Sequence, residues 1–323
     1  MNENRCNQKG IALITVILIV VVLVAVVIEL NRLSRADIYD AVNISDGIQL
    51  SYIAKSGVYG AAAILAGSPY DYDTLRDDWA KMETISLQSG ALFNNGYFIA
   101  HIEDETGKIP LNKLISGGDF NEEIKTMLIR LLLQPEFGLT RSQAEDIAAS
   151  LKDWMDADDE TTPGGAEASF YTALDPPYST KNAPMDCIEE MLMVKGITKE
   201  LFNGTKERPP LAQLLTVDSD GRININTAPK LVLRSLSDEI TPKMADDMDE
   251  YRRREGNDLS DPQWYKRVPG MAAVNISPDL ITVKGSYFKI VSTGKMNEMN
   301  KTVTAVVQKA DNQSVRVVKW RQD

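Results

Sequence analysis

The sequence predicts an α+β fold: a long N-terminal helix packed on an antiparallel sheet, with a large α-helical domain inserted between the strands of that sheet. Three observations predict it. An apolar run near the N-terminus continues into a stretch with helical spacing and no proline. A strand-like segment near residue 98 is separated by a long interval from four more beyond residue 280. Between them the apolar period is mainly helical, and segregated strands and helices of this kind make a layered α+β arrangement.

The first element begins at Ile11. Residues 11–28 are 18 consecutive positions of Ile, Val, Leu and Ala, apart from Thr15. As a helix they reach about 27 Å, enough to span a bilayer core. Arg5 and Lys9 precede them, and positive charge there keeps that end cytoplasmic and exports the rest. Three readings of this end compete. A cleaved secretory signal requires small residues after the apolar run, which Val-Val-Ile-Glu-Leu-Asn does not supply. A plain uncleaved anchor requires nothing further. The third rests on the junction Lys9-Gly10-Ile11-Ala12-Leu13-Ile14, a short basic leader ending in Gly before an intact apolar helix. It resembles the prepilin cleavage site of type IV pilin-like proteins. That resemblance implies cutting after Gly10 by a prepilin peptidase, methylation of the new amine on Ile11, and retention of the helix as a filament core. Pilins of this kind usually carry Glu at the fifth mature position, which pairs with a neighbour's amine. Here that position is Thr15, a substitution that a subunit with nothing above it tolerates.

The helix is expected to continue to about Leu65, with Gly57, Gly60 and the alanines at 61–63 marking a close-packed second half. Gly67-Ser-Pro69 should end it. Gly96 to Asp104 alternates and is rich in aromatics, so it reads as a strand with His101 in a packing role. Asn121–Leu133 and Thr140–Met155 read as helices, the second with Thr140 as N-cap. Asp186 is expected to cap a short helix to Val194, and Thr227 to cap one covering Lys230–Ser237. Ile281–Val283, Tyr287–Thr293, Thr302–Gln308 and Val315–Trp320 read as antiparallel strands. The expected division is a leader at 1–10, a membrane helix at 11–30, a core formed by 31–110 with 280–323, and an inserted helical domain at 111–279.

The chain has 323 residues, 43% hydrophobic and 25% charged, with a formal net charge of −11. The acidity argues against nucleic acid held by bulk charge, which needs clustered Lys and Arg. One histidine and two cysteines leave little for His-based catalysis or a disulfide framework. Cys187 is expected to be buried and unpaired. No GxxxxGK[ST], GxGxxG, HExxH, GxSxG or CxxC occurs, and no enzyme is predicted.

Residues 153–190 hold ten acidic residues against one base, Lys181. Carboxylates this dense repel unless solvated or bridged by a cation, and Ca²⁺ accepts irregular all-oxygen loops. The candidate ligands are Asp156, Asp158, Asp159, Glu160 and Glu167, the last returned by a Pro-Gly-Gly turn. The spacing is not that of an EF-hand, and a solvated acidic loop is the competing reading. A second motif, Asp220-Gly-Arg-Ile-Asn-Ile-Asn-Thr-Ala-Pro229, is similar to segments that introduce helix-hairpin-helix units. Val194-Lys-Gly196-Ile and Val268-Pro-Gly270-Met are the candidate hairpins. Lys243, Arg252, Arg253, Arg254, Lys266 and Arg267 form a local basic patch offset by Asp246, Asp247, Asp249 and Glu250. A membrane-anchored helix-hairpin-helix DNA receptor is therefore the alternative function.

The ordered series of motifs extends along most of the chain. It comprises Gly10-Ile-Ala-Leu-Ile14, Asp104-Glu-Thr-Gly-Lys-Ile-Pro-Leu-Asn112, Asp153-Trp-Met-Asp-Ala-Asp-Asp-Glu160 and Gly164-Gly-Ala-Glu167. It continues through Tyr171, Leu174-Asp-Pro-Pro-Tyr178, Lys181-Asn-Ala-Pro184, the Asn-Ile-Asn motif and Val317-Val-Lys-Trp320. With these residues the chain resembles the type II secretion system protein K family, the large minor pseudopilins. The resemblance implies a pilin-like core with an inserted helix-hairpin-helix, SAM-like domain, and calcium in that domain. It implies single-pass insertion in the inner membrane with the main domain periplasmic. Implied partners are minor pseudopilins of the I and J types at a filament tip, the major pseudopilin and, more remotely, secreted proteins. No nucleic-acid partner is implied.

Overall fold

The computed structural model describes residues 5–310 and 314–322; the first four residues of the expected leader lie outside them. Helix α1 runs unbroken from Arg5 to Ala66. Among the described residues it is the one helix long and apolar enough to cross a membrane. From Gly10 to Ser45, including every large apolar residue from Ile11 to Ile28, it is exposed. Its second half buries Leu50, Ile53, Ala54, Val58, Ala61 and Leu65, which recur every three or four residues and so form one stripe. Gly67 closes the helix by donating its N–H to the Ala63 carbonyl at 3.0 Å.

That stripe lies on a four-stranded antiparallel sheet, β1 (Tyr97–Asp104), β2 (Tyr287–Met296), β3 (Met299–Lys309) and β4 (Val315–Gln322), paired in that order. Strict alternation of burial along β2 puts Phe288 and Ile290 against the helix. Two glycines bring the helix and sheet into near contact. A Cβ on Gly57 would lie 2.1 Å from the Ser292 hydroxyl, and one on Gly294 would lie 2.8 Å from the Leu50 carbonyl oxygen. His101 sits on β1 opposite Val291, on the exposed face. The outer edge of β1 is covered by hydroxyls: Ser89 both accepts from the Phe98 N–H and donates to its carbonyl, and Ser86 accepts from the Ala100 N–H.

A second, larger apolar core gathers residues from Ile109 to Val283, among them Phe137, Trp154, Tyr171 and Trp264. Helices α2 (Glu122–Leu132) and α3 (Arg141–Met155) are capped by Asn121 and by a Thr140–Gln143 capping box. Helices α4 (Lys230–Ser235) and α5 (Pro242–Arg253) follow. Four local expectations are corrected. Ile281–Thr282 pairs in parallel with Ile223–Asn224 and does not join the main sheet. The short helix expected to be capped by Asp186 is a 3₁₀ helix, Ile188–Met193, with Cys187 at its N-cap and the Glu190 carboxylate accepting the N–H groups of Asp186 and Cys187. Cys187 is exposed, because its neighbours in that turn face the surface.

The fourth correction concerns Thr227. It caps no helix; its hydroxyl donates to Asp104 Oδ2 at 2.7 Å. Asp104 is buried between the two apolar cores, where Asn224 Nδ2 (2.8 Å) and the Thr106 N–H (2.8 Å) complete its shell. Beside it, buried Asp73 accepts from Lys309 and the Gly285 N–H. Burial, which penalises the charged form, pushes the Asp104 carboxyl up to about 7 against the pull of its donors. A carboxyl raised on folding stabilises fully below its unfolded pKa near 4, and that contribution is lost as pH climbs through 7. From pH 5 to pH 8 the unaltered chain should therefore lose about 2 kcal/mol more unfolding free energy than Asp104→Asn. Chemical denaturation of the detergent-solubilised proteins at both pH values measures this; parallel losses would refute it.

Candidate cation site and membrane segment

Gly10, Ile11 and Thr15 all lie in the exposed early turns of α1. Space beyond Gly10 is open, with nothing within 4 Å of a Cβ added there. The Thr15 hydroxyl donates to the Ile11 carbonyl at 2.9 Å, one turn back, so its polar group is satisfied inside its own helix.

The acidic loop begins where α3 ends. Asp156 is the C-cap, its N–H bonded to the Lys152 carbonyl at 2.8 Å. The chain then turns through Pro163-Gly164-Gly165 and returns along α3. Asp153, fully buried, holds this return by accepting the Thr162 N–H at 3.2 Å on each oxygen. Gly165 permits the approach, since a Cβ there would stand 2.2 Å from Asp153 Oδ2. Lys195 ties the turn from the other side, donating to the carbonyls of Gly164 and Gly165. The return delivers Glu167 to the loop. One carboxylate oxygen from each of Asp156, Asp158 and Glu167 then lies within 4.8 Å of the others.

Asp156 and Glu167 are only 3% exposed, and their Oδ1 and Oε1 are buried without a hydrogen-bond partner. Burial first, and then the neighbouring Asp153, push the Glu167 carboxyl up to about 7. Unpartnered buried oxygens are costly, and the two carboxylates that carry them, meeting the exposed Asp158, suit a hard cation. Two oxygens sharing one Ca²⁺ at about 2.4 Å stand at most about 4.8 Å apart, so the residues present fit such an ion. Behind the loop, Trp154, Tyr171 and Tyr178 form a wall with ring centroids 5.3 to 6.3 Å apart.

Of the five residues expected at this site, the structure brings together Asp156, Asp158 and Glu167. Asp159 is exposed and accepts from Asn182 Nδ2 at 3.1 Å; Glu160 is exposed, with its N–H on Asp158 Oδ1. Asp153 and Lys152 stand at the site although neither was among the expected ligands. Their signal was helical spacing: three and four residues before Asp156, both share its face of α3.

The Asn-Ile-Asn motif is structural. Asn226 is buried, accepting from Trp264 Nε1 at 2.7 Å and donating to the Leu259 carbonyl. The hairpin glycines Gly196 and Gly270 have φ of +89° and +81°, conformations that favour glycine. In the basic patch, Lys243 pairs with Asp247, Arg252 and Arg253 with Asp249, Arg254 with Glu250 and Arg267 with Asp258.

Residues 107–207, which include the whole acidic loop, match the family model described as type II secretion system (T2SS), protein K. Over that stretch the chain is similar to protein K. A type II secretion system protein K from Pectobacterium carotovorum subsp. carotovorum is 34% identical over 50% of this chain and 51% of its own length. That of Klebsiella pneumoniae is 27% identical over 68% of this chain and 66% of its own. The matches thus span about half to two thirds of these curated relatives. A solved structure, the GspK-GspI-GspJ complex of the enterotoxigenic Escherichia coli type 2 secretion system, has a chain with TM-score 0.68 and 21% identity. The match covers 86% of this chain and 97% of that one. The fold, a long helix on an antiparallel sheet with much added helix, is therefore shared with that chain.

Within the matched stretch, the Gly165 contact gives a direct test. Gly165→Ala drives a methyl into the Asp153 carboxylate and the Thr162 carbonyl, and should cost about 1–3 kcal/mol in denaturant unfolding. An unchanged midpoint would show that the turn does not lie on α3.

Proposed function

We propose that this chain is a minor pseudopilin of a type II secretion system, anchored in the inner membrane by the first half of α1. It would stand at the tip of the periplasmic pseudopilus with minor pseudopilins of the I and J types, above the major pseudopilin. There it would prime assembly and support protein export across the outer membrane. The observation that carries this reading is the joining, in one unbroken helix, of an exposed apolar segment to a sheet that bears the stretch similar to protein K. Its work is mechanical, and no catalytic step is assigned to any residue.

On this reading a prepilin peptidase cuts after Gly10 and the new amine on Ile11 is methylated. Open space around Gly10 leaves the junction accessible. Thr15 offers no carboxylate to the amine of a neighbour, and its hydroxyl is already satisfied within the helix. Together with the bulky helical lobe above the sheet, this favours a position with no subunit beyond it. Replacing Gly10 by Val should block processing, leaving a precursor larger by the leader. Mass spectrometry of the mature chain should find methylated Ile11; an unmodified N-terminus upstream of Gly10 would overturn the assignment.

Asp156, Asp158 and Glu167, with Asp153 alongside, would hold a calcium ion that neutralises the loop and fastens it to α3. The chain's own part is to position these carboxylates: Asp153 and Lys195 fix the glycine turn, and Asp156 is set by the helix end. Calcium added after chelation should raise the melting temperature of the full chain by several degrees. Glu167→Gln should lose most of that rise. Equal rises in both proteins would rule out Glu167 as a ligand.

A further inference from the structure

Lys152 stands at the one carboxylate of the loop that is wholly enclosed. The Asp156 side chain has no exposed surface, and the Lys152 side chain is 12% exposed; the ammonium bonds to Asp156 Oδ2. The other oxygen of the same carboxylate, Oδ1, is among the unpartnered ones. Asp153 and Asp158 also lie near enough to act on this ammonium electrostatically. A cation seated among Asp156, Asp158 and Glu167 would therefore share a carboxylate with Lys152. The two positive charges would be separated by little more than the width of that group.

The geometry points to Lys152 as a built-in counter-ion of the cation site, one that keeps the empty loop folded and lowers the site's affinity for a divalent cation. This inference rests on the calcium reading of the loop and adds a regulatory element to it. Two consequences follow from charge alone. Without a bound ion, Asp156 is a buried carboxylate whose partner is Lys152, so removing the ammonium should destabilise the empty protein. With an ion bound, the ammonium opposes it, and repulsion between a unit charge and a dication at such a distance is worth about tenfold in affinity even at high dielectric. The end of α3 adds a further attraction, since the partial negative charge of a helix C-terminus draws either cation. The Phe120 ring centroid lies 6.0 Å from Lys152 Nζ and 4.2 Å from Lys125 Nζ.

The test compares the full chain in detergent with Lys152→Met, which keeps the length but not the charge, and Lys152→Arg, which keeps the charge. After chelation, each is titrated with calcium chloride by calorimetry and melted with and without calcium. Lys152→Met should bind calcium about tenfold more tightly than the unaltered chain and melt lower when calcium-free. Lys152→Arg should stay within about twofold in affinity. If calcium-free Lys152→Met does not fold, recovery of the unaltered melting temperature in saturating calcium supports the inference, and failure to recover overturns it. An affinity of Lys152→Met within twofold of the unaltered chain, with Glu167→Gln losing calcium, would overturn the role of Lys152 and leave the site. No calcium response in the unaltered chain would overturn both.

Discussion

Asp104 occupies the boundary between two apolar cores, and the relation of one to the other depends on its shell. It ends the first strand of the sheet, and its carboxylate takes hydrogen bonds from Asn224 and Thr227, which belong to the helical lobe. Thr106, two residues on, accepts the N–H groups of Ser286 and Tyr287, where the chain returns to the sheet. Apolar surfaces alone would not fix an angle between the lobes, because hydrophobic burial is non-directional. A buried carboxylate with three donors is directional, and losing any one of them leaves a costly unpaired group. The seam therefore specifies orientation, while the flanking cores supply most of the burial.

The acidic loop shows the same logic with a different counterpart. Asp153 is satisfied by a backbone N–H and Asp156 in part by Lys152, whereas Glu167 carries an oxygen with no protein partner. Protein groups thus account for some of the charge concentrated between residues 153 and 167. Asp159 and Glu160 lie at the surface, while Asp156 and Glu167 are buried where they meet Asp158. An exposed, solvated acidic loop would leave these oxygens in water; here two of the three residues are buried.

Much of this was legible in the sequence. The helix, its end at Gly67, the strands of the sheet and the cap Thr140 all carry strong local signals of period or capping chemistry. The errors fall where tertiary contacts override local preference. Thr227 lies in a good capping position, yet Asp104, 123 residues away, takes its hydroxyl. Ile281 and Thr282 have strand composition but pair with Ile223 and Asn224 in the other lobe. Counting acids from residue 153 onward hid Lys152, and treating the loop as a loop hid Asp153 on the preceding helix. Ligands that straddle a helix end and a turn share no single period, so no one template collects them.

The glycine contacts at Gly57 and Gly294 bear on how force crosses the molecule. At these two points they bring the sheet close to the backbone of α1, and a buried apolar layer fills the rest of the interface. The same helix continues without interruption into its bare apolar half, and no proline breaks it. An axial thrust on residues 11–28 would reach the sheet with little lost to bending, and the Asp104 seam would carry it on to the helical lobe. The molecule is in that sense a strut with a head fixed to it, in which displacement at one end is read at the other.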